Sequence, residues 1–185
     1  RRSEKAHWVG RVHECIAPFG KQLSFDLHIH HLGSRKERKD RNLRIYQKWA
    51  AEEPLSARDL FYYGRELYYH RLYPEAVARL EDALSADGWY VNLIEACKIL
   101  SLCLEEQGRL PDAECALFRS FLYGEPRASV CCELGRLFFA QKRFREAAFW
   151  YQSALSCRDH SEEGDFELPA ARTLTPLLGL VCTYD

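Results

Sequence analysis

The chain repeats itself. YYGRELYYHRLYPEAVARLEDAL (62–84) aligns with LGRLFFAQKRFREAAFWYQSAL (134–155), and LSLCLEEQGRLPDAECALFRSFL (100–122) follows the same pattern more weakly. Gly64, Ser101 and Gly135 hold one register position, and Ala76, Ala113 and Ala147 recur twelve residues after each of them, in steps of 37 and 34 residues. A unit of this length cannot close a core alone, so it must stack on copies of itself. The small residues let two helices approach closely. Leu67, Leu104 and Phe138 fill the space between them, faced by Leu80, Leu117 and Tyr151, while Ala83, Ser120 and Ala154 close each pair. Turns are expected at RLYP, QGRLP and QKRF, and breaks between units at ADGW and GEPR. Apolar residues keep a helical period throughout, and no strand pattern follows residue 57.

This pattern resembles the tetratricopeptide repeat, a pair of antiparallel helices in about 34 residues. The expected fold is therefore mainly α: a solenoid of three helix pairs plus a partial fourth, over 57–185. After the polar insertion CRDHSEEGDFELP, AARTLTPLLGLVCTY predicts a further helix, bent at Pro176 and out of register by several residues. Such stacks offer a concave face lined by their first helices. Here it would carry Arg58, Phe61, Arg65, Tyr68 and Tyr69, then Lys98, Arg136 and Phe139. Arginine and aromatic side chains are the types that anchor partners. The pattern equally allows these aromatics to be buried against the N-terminal segment or the next helix.

Residues 7–31 read differently. HWVGRVHECI alternates weakly, as a strand would, and LSFDLHIHH alternates cleanly, with APFGK as the turn between them. Two strands alone are marginal and call for more sheet. Asp26, His28 and His30 share one strand face, which suits a metal but more commonly faces solvent; His31 points with the apolar set.

The order of motifs extends the resemblance. Trp8, Gly10, Val12, His13 and Glu14, then Ile29, His31 and Gly33, then Arg41 and Asn42, and then the repeats, look like the C-terminal part of bacterial family 2 glycosyltransferases that carry tetratricopeptide repeats. The resemblance implies that residues 1–34 are the closing β segment of an A-type catalytic domain, with 35–56 a linking helix. It implies sugar transfer from a nucleotide sugar to a protein or glycan acceptor, with inversion, assisted by a divalent Mg or Mn in the intact parent. Glu14 would then be a base and His13 its neighbour near the acceptor, Trp8 part of the substrate wall, and His31 a metal-site residue. The family's paired-Asp motif has no counterpart in this sequence, so residues 1–185 alone are expected to transfer no sugar and to hold no cofactor.

Bulk properties narrow the rest. Composition is ordinary and globular, 47% hydrophobic and 29% charged, with a formal net charge of −1. No overall field draws the chain to nucleic acid or membrane. The basic run from Arg35 to Arg41 is interrupted by Glu37 and Asp40 and reads as a solvated helix start; Leu43, Tyr46 and Trp49 follow helical spacing up to Pro54. No apolar run is long enough for a membrane span, and no signal sequence opens the chain. Eight cysteines without a C-x-x-C pair read as reduced packing residues of a cytoplasmic protein. With no Met and an apolar pattern running to its last residues, the sequence reads as a fragment of a longer protein. Two functions follow: the end of a glycosyltransferase whose repeats bind an acceptor or partner or self-associate, or a free-standing tetratricopeptide adaptor.

Overall fold

A computed structural model of the chain describes residues 7–16, 20, 28, 30, 40–164 and 166–184. They divide into two compact units, Arg1–Leu55 and Ser56–Asp185.

In the first unit, β1 (Trp8–Val9) pairs antiparallel with β2 (Cys15–Ile16), Trp8 opposite Ile16. The turn thus falls inside the stretch expected to be one strand. Gly10 and His13 supply it, with φ of 88° and 52°, the left-handed conformation that reverses a chain. The second expected strand, 23–31, lies largely outside the described residues, as does His31. Helix α1 (Arg41–Glu52) buries Leu43, Tyr46 and Trp49 and ends before Pro54. Arg11 ties the hairpin to it: the guanidinium pairs with Glu52, donates to Glu53 at 2.9 Å, and lies 5.3 Å from the centre of the Trp49 ring.

The second unit is built of paired helices: α2 (Ala57–Tyr69) with α3 (Tyr73–Ser85), α4 (Tyr90–Glu106) with α5 (Leu110–Arg119), and α6 (Ala128–Ala140) with α7 (Phe144–Ser156). Helix α8 (Leu174–Tyr184) opens a fourth unit and packs on α7. The repeat positions behave as their chemistry demands. Ala76, Ala113, Ala147, Ala83 and Ala154 are fully buried, and Leu80, Leu117 and Tyr151 are buried opposite them. A Cβ added at Gly64 would sit 2.7 Å from Leu80 Cγ, so the helix pair closes only around a glycine there.

Each pair turns in one way. Arg71, Gly108 and Lys142 are left-handed, with φ of 59°, 72° and 62°. Their amides donate to Tyr68, Glu105 and Phe139, and the following amides donate to Leu67, Leu104 and Phe138. This double bond satisfies the last carbonyls of each first helix. Two of the three positions hold a side chain that disfavours the conformation by about 1–2 kcal/mol. Lys142→Gly is therefore expected to raise stability by about 0.5–1 kcal/mol, allowing for the extra chain entropy of glycine; a lower denaturation midpoint would contradict this reading of the turn.

The bend expected at Pro176 lies elsewhere. A 3-10 turn (Pro169–Arg172) ends at Thr173, whose φ of −133° and ψ of −89° break the helix, and α8 starts afresh at Leu174. Pro176 then occupies the first turn, where its missing amide has no helical partner to lose.

Cys97, Cys103, Cys131 and Cys132 are free and buried in the stack. Burial pushes the thiols of Cys97, Cys103 and Cys132 up to about 12. Unfolded, they would ionise from about 8.5. Stability is therefore whole below that pH and falls as pH rises towards 12, since the unfolded chain releases protons the folded one keeps. Between pH 7 and 9 the three together are expected to lower unfolding free energy by about 2 kcal/mol. Urea titrations at the two pH values check this; equal midpoints would refute it.

Candidate functional site

The first helices α2, α4 and α6 present one face, and its occupants sort into three kinds. Arg58 lies 4.8 Å from the centre of the Tyr62 ring and 3.6 Å from Asp59. Arg65 sits over Tyr62 at 4.6 Å. Tyr68 packs on Tyr69 and Tyr73, burial raising its hydroxyl pKa, while Tyr69 is 66% exposed. Lys98 and Arg136 are committed to carboxylates: Lys98 to Glu95 at 2.6 Å, Arg136 to both oxygens of Glu105 and to Glu133. Phe139 rests edge-on against Phe144. Phe61 departs from expectation. It is fully buried, not lining an open face, because Phe166 packs against it with ring centres 5.9 Å apart.

Phe166 belongs to the polar insertion between α7 and the fourth unit, which crosses this face. Gly135 to Gly179 spans 44 residues where Ser101 to Gly135 spans 34, so the insertion adds ten residues to the repeat. Glu163, Glu167 and Phe166 anchor it to this face. Glu163 accepts from Arg127 at 2.9 Å, from the Tyr90 hydroxyl at 2.8 Å, and from His160 Nδ1 at 3.1 Å. Hydrogen bonds from His160, Tyr90 and Arg127, in that order of effect, hold its carboxyl down at about 2. Glu167 accepts the backbone amide of Ser129 at 2.8 Å, filling an amide that the start of α6 leaves without a helical partner. Phe166 completes a stack in which Arg65 lies 5.6 Å from its ring centre. Arg127, only 3% exposed, is thus a buried cation neutralised by an inserted carboxylate. Gly164, at φ 73°, brings the backbone against the Trp89 ring, where a Cβ would meet it at 3.1 Å. None of Tyr90, Arg127, Glu163, Phe166 or Glu167 was expected from the repeat. The legible signal was the insertion itself, acidic and carrying a single aromatic residue.

The first unit holds a second candidate, a cavity of about 220 Å³ lined by Arg11, Val12, His13, Glu14, Arg41 and Asn42. It brings the His13–Glu14 and Arg41–Asn42 motifs to one place, although they lie 27 residues apart in the chain. Trp8 does not line it and is 70% exposed. Among the described residues no group of three or more His, Cys, Asp or Glu side chains is placed to hold a metal ion. His31, the metal-site residue of the glycosyltransferase resemblance, lies outside the described residues. No helix among them is long and apolar enough to cross a membrane.

Residues 64–129 match the family model of the tetratricopeptide repeat, and the paired helices are consistent with a solenoid of that kind. Among solved structures, that of Pseudomonas aeruginosa PilF is similar, with a TM-score of 0.54 and 20% sequence identity over 76% of this chain and 63% of that chain. This chain thus spans less than two thirds of the PilF chain, and at that identity the likeness is one of fold. No curated protein matches the sequence. The family match lies wholly within the helical unit and does not bear on sugar transfer.

Proposed function

We propose that the helical unit is a protein-interaction module that takes a peptide segment of a partner on the first-helix face carrying Arg58, Arg65, Tyr68 and Tyr69. One observation carries this: a length of the chain's own backbone already lies along that face, held by Arg65, Phe61, Tyr90 and Arg127. The face thus already receives a loop of chain, turned at Ser161–Glu163 and Gly164, and the exposed Tyr69 and Arg-on-ring pairs offer the kind of anchor partners use. Peptide-display selection against the 185-residue chain tests it. Selected peptides are expected to lose at least ten-fold in affinity to the Arg65→Ala/Tyr69→Ala variant and little to Phe149→Ala on α7. Binders insensitive to the first pair would contradict the assignment.

A second reading is favoured by the convergence of His13, Glu14, Arg41 and Asn42 on one cavity. In it the opening unit closes a nucleotide-sugar transferase, with Glu14 as the base that takes the acceptor's proton, His13 beside it, and Trp8 on the acceptor side. No step is assigned to a metal. The buried free thiols suit a reducing compartment, the cytoplasm. Sugar-nucleotide turnover by the polypeptide of the complete gene is the test: Glu14→Gln should reduce it at least 100-fold, and unchanged turnover removes Glu14 from the chemistry.

A further inference from the structure

We propose that the inserted segment 158–168 is a built-in occupant of the partner groove, and that the groove selects an acidic peptide with a phenylalanine three residues after a glutamate. This rests on the first-helix face being the partner surface.

The chemistry follows from what the segment neutralises. Arg127 is buried, and its carboxylate partner Glu163 comes from the insertion. Were the segment to leave, Arg127 would lose that carboxylate and be uncovered together with the Tyr90 ring it lies against, leaving an open cationic site beside a hydroxyl donor. An incoming carboxylate would reproduce the pair with Arg127 that Glu163 makes at 2.9 Å. The Tyr90 hydroxyl points at the same oxygen of Glu163 and would donate to a replacement in the same way. The start of α6 asks for a second anion: the Ser129 amide, at the positive end of a 13-residue helix, is capped by Glu167. Between the two acids, Phe61 and Arg65 form an apolar and cationic seat that Phe166 fills. The pattern Glu163, Phe166, Glu167 is thus a pseudo-ligand whose spacing the groove reads.

The segment is also attached in a manner that suits exchange. It joins α7 to the 3-10 turn as a ten-residue addition to the repeat, so the stack of helix pairs does not need it for register. Its anchors on the first-helix face are Glu163, Phe166 and Glu167, with Arg158 and Asp159 pairing with Glu125 and Arg172 at its ends, rather than a ladder of backbone bonds; within it, Glu163 donates its amide to His160.

The test uses the 185-residue chain and a labelled synthetic peptide of residues 159–168, followed by fluorescence polarisation. The Glu163→Gln/Phe166→Ala variant loosens the resident segment while leaving Tyr90, Arg127, Phe61 and Arg65 in place. This variant should bind the peptide at least ten-fold more tightly than wild type, and a peptide with the matching two substitutions should not bind. A cooperatively melting variant that fails to bind the peptide, or equal binding by both proteins, overturns the proposal. Should the variant not fold, hydrogen exchange on wild type decides: the Glu163 amide must exchange through local opening, faster than amides of α4. Exchange only through global unfolding would make the segment a permanent brace and end the proposal. Display-selected peptides that map to Arg65 and Tyr69 but bind wild type and variant alike would leave the groove assignment standing and this one fallen.

Discussion

Arg127→Ala is expected to destabilise the helical unit by about 1–3 kcal/mol, more than an exposed pair and less than a fully buried one, because Glu163 is a quarter exposed and keeps Arg158 at 2.9 Å. The size follows from position. Arg127 precedes α6, is 3% exposed, pairs with Glu163 at 2.9 Å, and lies 5.9 Å from the centre of the Tyr90 ring. Truncation strips Glu163 of this cation and opens a gap under Tyr90. Replacing both partners by neutral residues of similar length, Arg127→Met with Glu163→Gln, should recover much of the loss, since a buried pair contributes little net stability over a well-packed apolar substitute. Chemical denaturation of the four proteins gives the coupling between the two sites. A loss below about 1 kcal/mol for Arg127→Ala, the scale of an exposed pair, would show that the insertion does not seal this site.

The second large effect centres on Tyr151, whose ring is gripped from both sides. A Cβ at Gly135 would lie 2.7 Å from two ring carbons, and one at Gly179 would lie within 2.4 to 2.6 Å of three. Neither distance exists in real structures, and no flexible end is available to yield, because the ring itself is the obstacle. Each glycine-to-alanine change should cost about 1–3 kcal/mol by overpacking, with Gly179→Ala the greater. Tyr151→Leu should suppress the penalty of Gly179→Ala while making a cavity of its own. If Gly179→Ala melts like wild type, α8 does not pack on α7 as described. That contact also marks where the fourth unit begins, for Gly179 takes on α8 the place that Gly135 takes on α6.

The parts of this arrangement written in the sequence are those that depend on neighbours one helix away. Gly64, Ala76 and Leu80 announce a close helix pair because each contact recurs at a fixed spacing. The left-handed turns at Arg71 and Lys142 were not legible, since only the middle copy, Gly108, carries the residue that advertises such a conformation. Phe61 and Arg65 both lie on α2, yet Phe61 is buried. What buries it comes from Phe166, about a hundred residues away, in a stretch with no periodicity to betray its path. Gly179 was hidden for the same reason: the insertion shifts it out of a register that a reader continues by counting. In the opening unit, residue spacing suggested one strand where Gly10 and His13 make a turn. The grouping of His13 and Glu14 with Arg41 and Asn42 came from motif order, and the cavity they line is consistent with that grouping without assigning it a reaction.

Backbone amide shifts of the 185-residue chain, recorded as a display-selected peptide is added, test most directly whether the first helices receive a partner. The expected map has its largest changes at Arg65, Tyr69, Tyr90 and Arg127, along one face of α2, α4 and the start of α6. Changes confined to the second helices, around Phe118 and Phe149, would place the interaction on the opposite side and contradict the account.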